Sequence, residues 1–386
     1  MSSLYFDHAA TTPLRDEVRA AMEPCLHGNF GNPSSIHRWG REAAAALDGA
    51  RARVAEALGA TPGEIFFVRG GTESDNLAVL GRTRRLVVDG HPPRVVVSSV
   101  EHKAVLAAAD AALHGSDGVP ATLRVGVDGS VDHDALADVL ARGPCVVSVM
   151  WVNNETGMIL PVPEIAARVS GSGSTFHTDA VQAVGKIPVR VDQVPVDLLT
   201  VTGHKIYGPR GTGVLFVRTG VEVAPLVHGG GQERGLRPGT EDVAGAVGMA
   251  EALQLAVLEQ EAERTRLAAL RDGLESRLGT LVPGLRVNAG DAPRAPHISS
   301  LGIPDVDGGI LLGALDLEGV GASGGSACDS GAAKASHVLT ALYGQADPLA
   351  ALRLSLGRAT TEADVDRAAQ VVARVVERIR SGGVDR

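Results

Sequence analysis

Short, almost wholly apolar runs separated by helical patterns constrain this chain most. Ile65-Phe-Phe-Val68, Arg94-Val-Val-Val-Ser98, Cys145-Val-Val-Ser-Val-Met-Trp151, Thr175–Thr178, Leu198–Val201 and Gly213-Val-Leu-Phe-Val217 each have strand length. None alternates polar with apolar as a strand with one wet face would, so both faces are buried. Between them lie helical patterns. In residues 36–58, Leu47, Ala50, Val54 and Leu58 fall on one face, and Lys103–Leu113 is a second helix. The alternation predicts a mostly parallel sheet covered by helices, an α/β fold. From about residue 250 the texture changes. Residues 249–280 predict one long helix, and the rest mixes short strands (Ile298–Leu301, Arg353–Ser355) with helices such as 362–379. The expected division is a large α/β domain over 14–250 and a smaller α+β domain from 1–13 and 251–386.

Composition narrows the function. The formal net charge of −9 disfavours a broad direct contact with nucleic acid, which needs a basic surface. Cys25, Cys145 and Cys328 are three cysteines without a C-x-x-C pair, so no disulfide framework or zinc cage is expected. No apolar run reaches the roughly 18 residues of a membrane helix, and MSSLYFDHAATT has no basic-then-apolar leader pattern. The expectation is a cytoplasmic protein without a membrane partner.

Four stretches carry candidate chemistry. In Val201-Thr-Gly-His-Lys-Ile-Tyr-Gly-Pro-Arg-Gly-Thr-Gly213, Lys205 sits past a strand end, where open α/β sheets bind ligands. Its neighbours Thr202 and His204 are donors suited to a phosphorylated cofactor, and a lysine amine can form a Schiff base. In Thr175-Phe-His-Thr-Asp-Ala-Val-Gln182, Asp179 follows a strand and suits the ring nitrogen of pyridoxal phosphate, which needs an acidic partner. Gly70-Gly-Thr-Glu73 opens a helix and would bind phosphate, although it is neither a P-loop nor a dinucleotide fingerprint. Ser98-Ser-Val-Glu-His-Lys103 places His102 at a helix start after a strand. The fifth stretch of interest, Ser323-Gly-Gly-Ser-Ala-Cys-Asp-Ser-Gly331, sets Cys328 among residues that pack little, unlike most free cysteines.

These motifs, in this order, resemble the cysteine desulfurases, enzymes of pyridoxal-phosphate fold type I in the class V aminotransferase group. Besides those stretches, the resemblance rests on YFDHAATTP (5–13), GNPSSIH (31–37), VNNETG (152–157), HGGGQERGLRPGT (228–240) and LRLSLGR (352–358). It implies pyridoxal 5'-phosphate as cofactor, carried by Lys205. It implies that His102 stacks on the ring, that Asp179 and Gln182 meet the ring nitrogen and oxygen, and that Gly71, Thr72, Thr202 and His204 hold the phosphate. Asn154 would contact cofactor and substrate, and Arg353 the substrate carboxylate. Thr240 would reach the phosphate of the other subunit, which implies a homodimer.

The implied reaction converts L-cysteine to L-alanine. Lys205 removes the α-proton, and the Cys328 thiolate takes the sulfur as a persulfide, with His102 as its candidate base. The loop 323–333 would carry Cys328 between the cofactor and a sulfur-acceptor protein such as an iron–sulfur scaffold, with which Cys328 could transiently share a cluster. Other destinations are tRNA thiolation or DNA phosphorothioation, reached through a partner protein. Selenocysteine lyase activity, or an aminotransferase without sulfur chemistry, are the alternatives on the same frame. Asp329 stands where this family often has threonine, and its charge disfavours the neighbouring thiolate. A slower, more partner-dependent persulfide step is the expectation. Cys145 and Cys25 are read as structural.

Overall fold

The computed structural model describes residues 3–28, 30–116, 118–324, 336–345 and 347–382. Cys328 and Asp329 lie outside the described residues. The strands in chain order are β1 (Leu4–Tyr5), β2 (Ile65–Val68), β3 (Val95–Ser98), β4 (Ala121–Leu123), β5 (Val146–Ser148), β6 (Thr175–Asp179), β7 (Leu198–Thr202), β8 (Gly213–Val217), β9 (Arg286–Val287), β10 (Ile298–Ile303), β11 (Val320–Gly321) and β12 (Ala350–Ser355).

Seven of them form the main sheet in the order β2-β8-β7-β6-β5-β3-β4. The ladder from β4 through β3, β5 and β6 to β7 is parallel. β8 runs antiparallel to both β7 and β2. The fold class expected from the alternation therefore holds, with one antiparallel strand, β8, that joins the edge strand β2 to the rest. The helices Arg38–Leu58, Lys103–Leu113, Val162–Val169 and the start of Val243–Leu281 cover it. The 38–58 helix buries Leu47, Ala50, Val54 and Leu58. His37 caps its start by accepting from Gly40 N at 3.2 Å. Gly59, at φ 73°, ends it in a left-handed turn that a side chain would strain.

The long helix begins at Val243, six residues before the expected 249. Its first turns contain Gly245 and Gly248. Both are demanded by packing: a Cβ on Gly248 would stand 2.6 Å from Met22 Sδ, and one on Gly245 2.5 Å from Asp242 Oδ2. Val243 to Leu253 pack into the sheet core, whereas Leu267, Leu274 and Leu278 pack into a second core. That second core surrounds the antiparallel sheet β12-β10-β9 and the helix Glu362–Arg380. Leu4 and Phe6 also belong to it. β1 pairs in parallel with β11, and Asp7 bridges to Ser355 of β12. Cys145 is buried in the sheet core, and Cys25 lies within the helix Asp16–His27 rather than after it. Among the described residues, no helix is long and apolar enough to cross a membrane.

The turn after β3 is held by one buried carboxyl. Glu101 Oε1 accepts from Ser98 Oγ at 2.5 Å and from Met150 N at 2.7 Å, so it ties the β3 turn to the β5 turn. His337 Nε2 lies 2.9 Å from the Glu101 carbonyl and adds a third tie. Glu101 Oε2 has no partner among the described residues, and burial pushes the carboxyl up to about 8. Between its unfolded value near 4.5 and 8, the folded state holds more proton than the unfolded one, so stability falls as pH rises. Glu101→Gln keeps the accepting oxygen and removes the titration. Its melting temperature relative to the parent should therefore improve steadily from about pH 5 to about pH 8, by up to about 1.4 kcal/mol per pH unit in stability. Calorimetry across that range checks this; parallel curves for the two proteins would contradict it.

Candidate active site

Every parallel strand but the outermost ends near one cavity of about 240 Å³. This is the carboxyl edge of the sheet, where βα turns leave space for a ligand. Its lining includes Gly71, Thr72, His102, Asn154, Asp179, Gln182, Thr202, His204, Lys205 and Arg353. The structure thus brings together all the expected site residues except two. Thr240 lies exposed on the 228–240 loop and does not line this cavity, and Cys328 lies outside the described residues.

Lys205 follows β7 in a short 3-10 turn. Its Nζ donates to the carbonyl oxygens of Ala9 and Ala10, each at 2.6 Å. Asp179 ends β6, buried, with Oδ1 accepting from Val181 N at 2.9 Å. A second carboxyl, Asp75, lines the same cavity and is 1 % exposed. Burial raises both carboxyls, and the charge of Asp179 raises Asp75 further. Asp179 is relieved by His102, the Val181 N–H and Lys205, whereas at Asp75 the Thr200 hydroxyl opposes the rise. Asp75 Oδ1 has no hydrogen-bond partner among the described residues and stands 3.7 Å from His177 Nε2. Asp179 thus has more groups that favour its charged form than Asp75 has.

His102 caps the helix Lys103–Leu113, its Nδ1 accepting from Ala104 N at 3.2 Å. That bond puts the ring proton on Nε2. Burial lowers its pKa, partly offset by Asp179. His204 is held neutral, at about 4, by burial and by the adjacent Lys205. Its Nδ1 pairs with Thr11 Oγ1 at 3.2 Å.

Arg353, 2 % exposed on β12, is aimed by two bonds: Nη1 to the Asn154 carbonyl at 2.7 Å and Nη2 to Asp7 Oδ1 at 2.8 Å. Its Nε is buried without a partner among the described residues. Gly71 and Thr72 open a helical stretch that runs to Val88 through a π turn. Gly70 precedes it at φ 109°, a conformation suited to glycine. The first N–H groups of such a helix have no intrahelical acceptor.

Sequence reasoning gave no role to several lining residues. Ala9 and Ala10 act through backbone carbonyls, which have no side-chain signature, although they lie inside the YFDHAATTP stretch. Asp75, Glu155 and His337 reach the cavity through tertiary packing alone. Among the described residues there is no cluster of metal-ligating side chains.

The donor set fits pyridoxal phosphate. The cavity holds a lysine amine, a buried carboxyl and a helix start together, with an imidazole beside them. The class-V aminotransferase family matches residues 4–368. The cysteine desulfurase IscS of Dictyoglomus turgidum is 42% identical over 98% of this chain and 95% of its own length. A solved NifS-like protein superposes with a TM-score of 0.86 at 33% identity, covering 97% of this chain and 99% of that one. A structure of SspA in complex with cysteine gives 0.78 at 31% identity, covering 92% and 99%. The chain belongs to the class-V aminotransferase family, among its cysteine desulfurases, which are pyridoxal-phosphate enzymes.

Proposed function

We propose that this chain converts L-cysteine to L-alanine and takes the sulfur onto Cys328 as a persulfide for delivery to an acceptor protein. The observation that carries the reading is the meeting of Lys205, Asp179, His102 and Arg353 at one cavity. Pyridoxal phosphate supplies an electron sink for the substrate's α-carbon when bound. Lys205 would link it, Asp179 would face the ring nitrogen and Gln182 the ring oxygen, and His102 would stack on the ring. Gly71, Thr72, Thr202 and His204 would hold its phosphate, with Asn154 beside the ring. Because His204 is neutral, it would serve the phosphate as an N–H donor rather than as a cation.

The chain's own groups set the proton traffic. The Lys205 amine is the base for the α-proton, and the carbonyls of Ala9 and Ala10 give its nitrogen a place to rest. Arg353 binds the substrate carboxylate; Asp7 and the Asn154 carbonyl hold two of its nitrogens, so little rotamer freedom is lost on binding. With its proton at Nε2, His102 is a hydrogen-bond donor at that atom. To act there as base toward Cys328, the ring must first move that proton to Nδ1 and give up the Ala104 bond. In the sulfur step, a bond forms between Cys328 Sγ and the substrate sulfur while the substrate C–S bond breaks. The electron pair stays on carbon, which takes up a proton.

Two further readings concern partners. The exposed apolar residues Phe30, Ile36, Trp39 and Val227 lie on two segments that meet around Pro33, Ser34 and Gly230–Arg234. Such a patch suits the face of a homodimer, and it would carry Thr240 toward the partner's phosphate site. The physiological sulfur acceptor is an iron–sulfur scaffold in this reading.

With L-cysteine and a reductant, the parent should release equal alanine and sulfide. Lys205→Ala should lose both the yellow cofactor absorbance and turnover. Cys328→Ala should stay yellow and lose turnover; continued sulfide release by Cys328→Ala would refute the persulfide reading. Asp179→Asn should retain the protein's fold by circular dichroism and lose about 100-fold or more in kcat; a near-normal kcat would remove Asp179 from the ring nitrogen. In sedimentation, the parent should run as a dimer and Ile36→Glu combined with Trp39→Glu as a monomer that retains cofactor poorly. A dimeric double variant would place the interface elsewhere.

A further inference from the structure

His297 is among the most buried polar residues, 1 % exposed, and it precedes β10 in the smaller sheet. Its Nε2 lies 3.1 Å from Gln182 Oε1, across the boundary between the two cores. The Gln182 amide, 4 % exposed, donates on its other side from Nε2 to the Ala9 carbonyl at 2.8 Å. We propose that His297 is a positioning residue for the cofactor's ring oxygen: its Nε2–H locks the Gln182 amide so that the amide nitrogen, not the oxygen, is offered to the cavity. The proposal rests on the reading of Gln182 as a cofactor-holding residue.

The assignment follows from what each partner can give. A backbone carbonyl is only an acceptor, so the Gln182 group 2.8 Å from Ala9 O must be the NH2. The amide oxygen then faces His297, and the imidazole nitrogen beside it must be the donor. Ala9 O takes one Gln182 hydrogen, and the second remains for the cavity that Gln182 lines. The same carbonyl also accepts from Lys205, so the amide and the lysine share one anchor.

Nothing in the surroundings favours a second proton on the ring. Lys186, His8, Arg353 and Arg271 face His297, and its Nδ1 is buried without a partner among the described residues. Lys186, His8 and His297 also line a second cavity of about 30 Å³ on the far side of Lys205, the size of about one water. His8 itself packs over Gly357, where a Cβ would stand 2.3 Å from its ring.

Three measurements test the proposal. The first is 15N NMR of the histidine rings in the cofactor-free parent, assigned with His297→Gln; it needs no cofactor. The second is the pH titration of the bound cofactor's visible absorbance, and the third is the cofactor's dissociation constant. The latter two compare parent, His297→Leu, His297→Gln and Gln182→Leu. An N–H donor stabilises charge on the ring oxygen and weakens its hold on the proton it shares with the lysine link. His297→Leu should therefore shift the absorbance midpoint upward by about one pH unit and weaken cofactor binding roughly 5- to 10-fold, the worth of one hydrogen bond. Gln182→Leu should do the same, His297→Gln should restore most of both, and NMR should place the ring proton on Nε2. A proton on Nδ1 overturns the proposal. So does a His297→Leu protein with parental midpoint and affinity while Gln182→Leu shifts both; the reading of Gln182 then survives. If neither variant shifts either quantity, the reading of Gln182 fails and the proposal falls with it.

Discussion

The site depends on where charge rests between two buried carboxyls that line one cavity. Asp179 is 6 % exposed, and a buried carboxylate shifts toward its neutral form unless partners hold the charge. The fold supplies those partners from three separate segments: the Val181 N–H, the imidazole of His102 and the ammonium of Lys205. It also supplies a competitor. Asp75 stands in the same cavity with fewer such partners. The two carboxyls are thus set apart by environment rather than by residue type.

The N-terminal segment joins this electrostatic arrangement to the rest of the molecule. Leu4 and Phe6 sit in the smaller core, and Asp7 bridges to β12 and holds Arg353. Two and three residues further on, the Ala9 and Ala10 carbonyls reach Lys205 and Gln182 at the sheet edge. Arg353 and Lys205 come from different cores, and this short stretch touches both. A change in the packing of Phe6, which is 1 % exposed, therefore bears on the site as well as on stability; its replacement by alanine belongs to the class that costs roughly 3–5 kcal/mol.

Much of this was legible in the sequence for a physical reason. Strands buried on both faces need continuous apolar residues, so β2, β3 and β5 to β8 stand out, and the turns after them carry the polar residues that meet at the cavity. The strand β4 was missed because Ala121-Thr-Leu123 is short and lies at the sheet edge. The antiparallel direction of β8 was missed because direction leaves no mark on a buried apolar run. The start of the long helix was missed because its glycines serve contacts with Met22 and Thr212 that only the fold reveals. In the site, charged and nucleophilic side chains could be proposed from motifs. The backbone carbonyls at Ala9 and Ala10, the charge state of Asp75 and the tautomer of His297 depend on what stands within a few ångströms, and spacing along the chain does not encode that.

The partners gathered at Asp179 predict that it is the ionised member of the pair near neutral pH and that Asp75 is the protonated one. The most direct measurement is carbon-13 NMR of aspartate carboxyls in the cofactor-free protein, assigned with Asp179→Asn and Asp75→Asn. At about pH 7 the Asp179 signal should sit at the carboxylate position and the Asp75 signal at the carboxylic-acid position. Removing Asp179 should lower the pH at which Asp75 ionises, because Asp179's charge is one cause of its rise. A protonated Asp179 beside an ionised Asp75 would contradict the account and leave the ring nitrogen without its charged partner.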